Sequence, residues 1–239
     1  MATKGTLYLI PCPIAGDTAP DDVAPAANRA VIASLDYFIV ENVRSARRFL
    51  SKMRIGRPLD ELEFAELDEH TVAGIAVERM IEPLLHGRSA GVISEAGVPG
   101  VADPGQAVVA LCHRHGIRVV PLVGPSSVIM AVMASGLNGQ SFAFNGYLPV
   151  REPGLSRAIK RLEARALAES QPQAFIEAPY RNMRLAEAIL RTCAATTRLC
   201  IACDITSASE YIRTATVAEW RKAGVPDLRK RPSIFVIGR

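Results

Sequence analysis

Two carboxylates in a loop too rich in glycine and proline for regular structure are the first candidates for chemistry. Residues 91–105 read GVISEAGVPGVADPG. The apolar pair at 92–93 closes a buried strand, and the loop after it carries Glu95 and Asp103 among Gly97, Pro99, Gly100, Pro104 and Gly105. A second apolar run, 119–123, ends in the same manner at Gly124-Pro125-Ser126-Ser127. Open α/β sheets bind ligands at the carboxyl edge of such strands, and glycine lets the backbone approach a ligand closely. Two such endings so near in sequence can line one crevice. Glu41, Glu95, Asp103, Glu177 and Asp204 all stand at loop ends, where a carboxylate can accept a proton or can cap and brace the loop. Neither the dinucleotide fingerprint nor the P-loop lysine pattern is present, which counts against NAD and ATP chemistry. Cys200 and Cys203 have redox or metal spacing. They lie in an apolar run with no second such pair, so they read as buried thiols rather than a zinc site. Cys112-His113-Arg114-His115 lacks the paired histidines of a metalloprotease helix and reads as surface.

These residues need a scaffold. Strands are expected at 6–10, 37–40, 63–67, 89–94 and 117–123. Helices are expected at 25–35, from a cap at Asn42 or Ser45 to 53, at 72–86 with Thr71 as cap, at 104–115 and at 128–135. The alternation predicts a parallel sheet with helices on both faces. A second unit begins near Ser141, with strands at 142–146, 174–177, 199–204, 211–214 and 233–237. The strands at 199–204 and 211–214 are close enough to pair. Its helices are expected at 152–169, 184–193 and 217–223, the first with Arg157, Arg161 and Arg165 along one side. The boundary falls around Pro121–Pro125, giving domains 1–121 and 122–239.

Composition allows this. Of 239 residues 49% are apolar, enough for a sizeable core, and no low-complexity tract argues for disorder. No apolar run reaches the length of a membrane span, and the N-terminus lacks a signal-peptide pattern, so the chain reads as soluble and cytoplasmic. Five cysteines then read as reduced thiols. The net charge of +4 is uneven: residues 1–121 hold 12 Lys/Arg against 15 Asp/Glu, and residues 122–239 hold 16 against 9. A basic half suits a polyanionic partner, or ordinary solvated helix faces.

The motifs have a known counterpart. Ser94-Glu95-Ala96-Gly97-Val98-Pro99, then Ala102-Asp103-Pro104-Gly105, then Val123-Gly124-Pro125-Ser126-Ser127 follow the order and spacing of SDAGTP, DPG and PGPS. With LYLIPCPI at 7–14, FAFNGYLP at 142–149 and FIEAPYR at 175–181, they cover nearly the whole chain. The chain resembles the tetrapyrrole methylase superfamily of S-adenosylmethionine (AdoMet) methyltransferases. It looks most like the branch of ribosomal RNA small subunit methyltransferase I. The resemblance implies the two-domain α/β tetrapyrrole methylase fold, AdoMet in a cleft between the domains, and a homodimer. It implies cofactor contacts from Pro11 and Pro13, from Ser94, Glu95, Ala96, Gly97, Val98 and Asp103, and from Val123, Gly124, Pro125, Ser126 and Ser127. It further implies Glu177, Ala178, Pro179 and Tyr180, and Pro232, Ser233 and Ile234, with no metal.

Methyl transfer from a sulfonium asks mainly for in-line positioning. A ribose hydroxyl also asks for a base. Glu41, Arg44, Glu95 and Asp103 are the catalytic candidates, and no single base is assigned. Arg44, Arg47 and Arg48, the arginines of 157–165 and Arg229-Lys230-Arg231 would meet RNA phosphates. The chain departs from the branch at Ala15-Gly16, where an Asn is expected, and at Asn42-Val43 within EDTR. Further departures are Glu95 and Val98 within SDAGTP, Cys203 and Ser207 within RELTK, and Arg231-Pro232-Ser233 in place of KGE. The frame is kept while candidate substrate-facing positions change. The leading reading is an AdoMet-dependent methyltransferase of ribosomal RNA ribose, with the small ribosomal subunit as partner. A methylase of a tetrapyrrole or other small molecule, and a non-catalytic AdoMet-binding protein, stay open.

Overall fold

The computed structural model of the chain describes residues 3–67 and 75–239. It divides into two compact units, Met1–Ser126 and Ser127–Arg239. The division falls beyond Pro121 because residues 122–126 are tied to the first unit: the Leu122 N–H donates to Leu9 O at 2.9 Å and Asn28 Nδ2 donates to Val123 O at 2.8 Å.

The first unit is built on one parallel sheet. Its strands are β1 (Thr6–Ile10), β2 (Tyr37–Val40), β3 (Glu63–Glu66), β4 (Ala90–Ile93) and β5 (Arg118–Pro121). They lie in the order β3-β2-β4-β1-β5, and each neighbouring pair is parallel. The connecting helices are α1 (Pro20–Val23), α2 (Ala26–Ala33), α3 (Val43–Met53), α4 (Ile75–Leu85) and α5 (Gly105–Arg114). Successive side chains of a strand point to opposite faces. Tyr37, Ile39, Ala90 and Val92 therefore pack with α4 and α5. Phe38, Val40 and Ile93 pack with Ile32 of α2 and with Ala46, Phe49, Leu50 and Met53 of α3. Such a sheet, buried on both faces, reads as uninterrupted apolar runs such as Tyr37–Val40.

Helix α3 starts where the Asn42 side chain accepts from the Ser45 N–H at 3.0 Å, and it ends at Arg54 in the left-handed region, φ 51°. The helix expected from 25 begins at Ala26, and α1 before it was not expected. Thr71, expected as a cap, lies outside the described residues. Cys112 is buried on α5, not at the surface as expected. It lies four residues after Val108 and one after Leu111, on the helix face packed against the sheet, while His113, Arg114 and His115 are exposed.

The second unit has a mixed sheet. Strands β6 (Ala143–Tyr147), β7 (Gln173–Ile176), β8 (Arg198–Cys203), β9 (Tyr211–Thr216) and β10 (Ser233–Gly238) lie in the order β6-β7-β10-β8-β9. Only β6 and β7 are parallel; β10 runs antiparallel to β7 and β8, and β8 to β9. The helices are α6 (Ser127–Ser135), α7 (Gly154–Ala168), α8 (Asn182–Thr192) and α9 (Val217–Ala223). Leu199, Ile201, Phe235 and Ile237 join the core beneath α7, α8 and α9. Thr216 caps α9 in a reciprocal capping box with Glu219. Buried Trp220 donates from Nε1 to Leu199 O at 2.9 Å. All five cysteines are buried free thiols. Among the described residues no helix is long and apolar enough to cross a membrane.

Candidate functional site

Parallel pairing brings the ends of β1, β4 and β5 to one edge of the first sheet. The loops that follow are joined through their backbones. Cys12 N–H donates to Gly97 O at 2.8 Å, and Gly97 N–H returns the bond to Cys12 O at 3.1 Å. Gly97 does this at φ +72°, a conformation that disfavours side-chain-bearing residues. Gly124 lies against the Pro11 ring, where a Cβ would stand 2.2 Å from the proline Cγ. Pro11, Gly97, Gly124 and Pro125 thus belong to one backbone platform, with Val123 beside it 70% exposed.

The acidic candidates gather beside it. Asp103 Oδ1 accepts from Gly100 N–H at 2.9 Å and Gly105 N–H at 2.6 Å, which closes the loop around one carboxylate oxygen. The other oxygen, Oδ2, is buried with no partner among ordinary donors. Glu41, at the end of β2, supplies the partner if it keeps its proton. Burial pushes its pKa up to about 8, helped by the side-chain hydrogen bond with Asp103 and by the charges of Asp103 and Glu95, against a bond from the Glu95 N–H. The same environment raises the Cys12 thiol to about 12, first by burial and then through Glu41 and Asp103. Glu95 itself is exposed and accepts from Ser45 Oγ at 3.2 Å. Ser94 is buried, its hydroxyl near the Ala96 and Gly97 carbonyls at 3.4 Å.

This arrangement fixes a pH dependence. Glu41 holds its proton more tightly folded than unfolded, where a glutamate titrates near 4.5. Its contribution to stability is therefore largest below that value and falls as pH rises through about 8. Urea unfolding at a series of pH values should show this decline between pH 4.5 and about 8 in the wild type and a flatter profile in Glu41→Gln. Equal slopes in the two proteins would exclude a shared proton.

In the second unit Glu177 is buried and ion-paired. Its Oε1 accepts from Ala178 N–H at 2.7 Å and from Arg181 Nη2 at 2.6 Å. Arg181 also reaches the hydroxyl of Tyr180 and lies over its ring, 4.7 Å from the centroid. Pro179 O accepts from Lys230 N–H at 3.2 Å, which ties this loop to the run before β10. Pro232 is exposed, while Ser233 and Ile234 are buried; Ser233 Oγ donates to Arg231 O at 3.0 Å. Asp204 is paired with Arg231 at 2.6 Å. Glu177 and Asp204 are thus structural ion-pair partners, unlike the cluster of Glu41, Glu95 and Asp103.

Several cations expected at RNA are engaged internally. Arg47 pairs with Asp60, Arg165 with Glu169, Arg229 with Asp227 and Arg231 with Asp204. Arg44, Arg48 and Arg161 form no ion pair among the described residues. Lys52, which sequence reasoning passed over, reaches from α3 to Gly16 O at 3.1 Å. Its position seven residues after Ser45, on one helix face with Arg48, was the available signal.

Similarity to known proteins agrees with this geometry. The profile of the tetrapyrrole (corrin/porphyrin) methylases matches residues 6–220. The chain is 32% identical over 240 residues to "Ribosomal RNA small subunit methyltransferase I" of Xylella fastidiosa strain Temecula1, covering 99% of this chain and 82% of that protein. The chain belongs to the tetrapyrrole methylase family. It is thereby an AdoMet-dependent methyltransferase. Two solved methylases share the fold. The methyltransferase CobJ has a TM-score of 0.63 at 16% identity, covering 98% of this chain and 94% of CobJ. The uroporphyrin-III C-methyl transferase of Thermus thermophilus, complexed with S-adenyl homocysteine, has a TM-score of 0.59 at 15% identity, covering 98% of each chain.

The residues of this methylase suit such a cofactor. AdoMet carries no phosphate and needs no ring of amides around an anion. It carries a sulfonium cation, and the carboxylates of Glu95 and Asp103, beside a Glu41 that shares its proton with Asp103, set a matching potential. The platform of Pro11, Gly97 and Gly124 supplies bare backbone for close approach.

Proposed function

We propose that the chain methylates ribosomal RNA of the small subunit at a ribose 2′-hydroxyl. The observation that carries the reading is the similarity to ribosomal RNA small subunit methyltransferase I over 99% of the chain. The Ser94–Gly97, Asp103 and Val123–Ser127 segments and the end of β1 hold the cofactor in this reading. Glu177–Tyr180 and Pro232–Ile234 are its further cofactor residues. When bound, AdoMet supplies a methyl group on a sulfonium that carries its own leaving group.

The protein's part is to align the acceptor oxygen and to take its proton. Glu41 keeps its own proton and Asp103 is engaged with its loop. Glu95, exposed and carrying one hydroxyl partner, is the carboxylate we assign as proton acceptor. An enzyme of the small ribosomal subunit works in the cytoplasm, and we propose a homodimer, testable by light scattering.

The test is label transfer from methyl-tritiated AdoMet to small ribosomal subunits lacking ribose methylation, with free ribosomal RNA and a tetrapyrrole precursor alongside. Label on one ribosomal nucleotide is expected, and Glu95→Gln should lose transfer while still binding AdoMet. Label on the tetrapyrrole alone, or no label from protein that binds AdoMet, would overturn the reading.

A further inference from the structure

A cavity of about 140 Å³ opens in the first unit between the loop after β1 and helix α3. Its α3 wall is made by Ser45, Arg48, Phe49 and Lys52, at spacings of three, four and seven, which fall on one helix face. The opposite wall is the loop around Gly16, held by Lys52. At one margin stand Ser94 and Glu95 of the platform loop, with Glu95 engaged by Ser45 Oγ.

Charge and size decide what fits. Two cations line the cavity, and Arg48 has no acidic partner among the described residues. Lys52 has donated one of its three hydrogens. Arg47, just over half a turn away from Ser45, faces elsewhere: it pairs with Asp60 and lies over the Phe64 ring, 5.9 Å from its centroid. At roughly 30 Å³ per water, the cavity has room for about four or five small groups. That suffices for a phosphate with its four oxygens.

We infer that Arg48 and Lys52 form a subsite for one backbone phosphate of the acceptor. It would hold the strand beside Glu95 and so present a neighbouring ribose to the platform. This rests on the ribosomal RNA reading above. A phosphate contact adds affinity without reading sequence, so the subsite positions the acceptor whatever its bases.

The test compares wild type with Arg48→Ala, Lys52→Ala and the double variant. AdoMet affinity should be unchanged in all. RNA affinity, measured against salt, should fall about tenfold or more in the double variant, and the slope of log K against log salt should become shallower by about 0.7–0.9, the value for one lost phosphate contact. Arg48→Lys should recover part of both. Independently, inorganic phosphate at constant ionic strength should raise the melting temperature of wild type more than that of the double variant. RNA binding with an unchanged slope, or an equal phosphate effect in the two proteins, would overturn the subsite. A phosphate effect in a wild type that binds no RNA would instead overturn the acceptor reading and leave the subsite standing.

Discussion

Asp103→Ala is expected to lower AdoMet affinity by about 10–100-fold and to take most methyl transfer with it. One oxygen of Asp103 accepts from both Gly100 and Gly105, so its loss frees two backbone donors and opens the loop between them. A hydrogen bond to a charged group contributes about 1.5–3 kcal/mol, and each 1.4 kcal/mol of affinity is tenfold. Titration calorimetry with AdoMet reads the effect directly. Asp103→Asn separates the two duties of the side chain. Its amide oxygen can keep the loop bonds, while its amide nitrogen donates to Glu41 and removes the need for a shared proton. The Asn variant should retain the loop and bring the Glu41 pKa down. If Asp103→Ala binds AdoMet as the wild type does, the loop closure has no part in the cofactor site.

Trp220→Ala should cost the second unit about 3–5 kcal/mol of stability, the range for removing a fully buried large aromatic side chain. Trp220 is 0% exposed, its Nε1 bonds Leu199 O across to β8, and Arg213 lies 4.8 Å from its ring centroid. Trp220→Phe keeps much of the buried area and loses mainly the hydrogen bond, so about 1–2 kcal/mol is expected. Urea unfolding followed by circular dichroism measures both. A loss below about 1 kcal/mol for the alanine variant would mean that the core around α9 recloses over the gap.

The strands and their loops were legible because a sheet covered on both faces writes itself as apolar runs between glycines, as in Tyr37–Val40 and Ala90–Ile93. The Asn42 cap and the Gly97 turn were legible for local reasons. The carboxyl pair was not. Glu41 and Asp103 meet only because β2 and β4 are neighbours in the sheet, and strand order is a property of the whole topology. The fate of the basic run at 229–231 was half legible: Asp227 lies two residues from Arg229, whereas Asp204 reaches Arg231 through the pairing of β8 with β10. Cys112 was misread because its exposed neighbours His113 and His115 drew attention from its spacing to Val108 and Leu111.

The position of β10 has a consequence for synthesis. It is the last strand in sequence yet lies in the middle of the second sheet, between β7 and β8. While the chain grows, those two strands each present an open edge from the time Cys203 is made until Gly238 follows. At 5–20 residues per second that interval is about 2–7 s. Unpaired strand edges are templates for association with other chains. The nascent polypeptide therefore passes through a window in which a chaperone, or a neighbouring copy, competes with its own final strand.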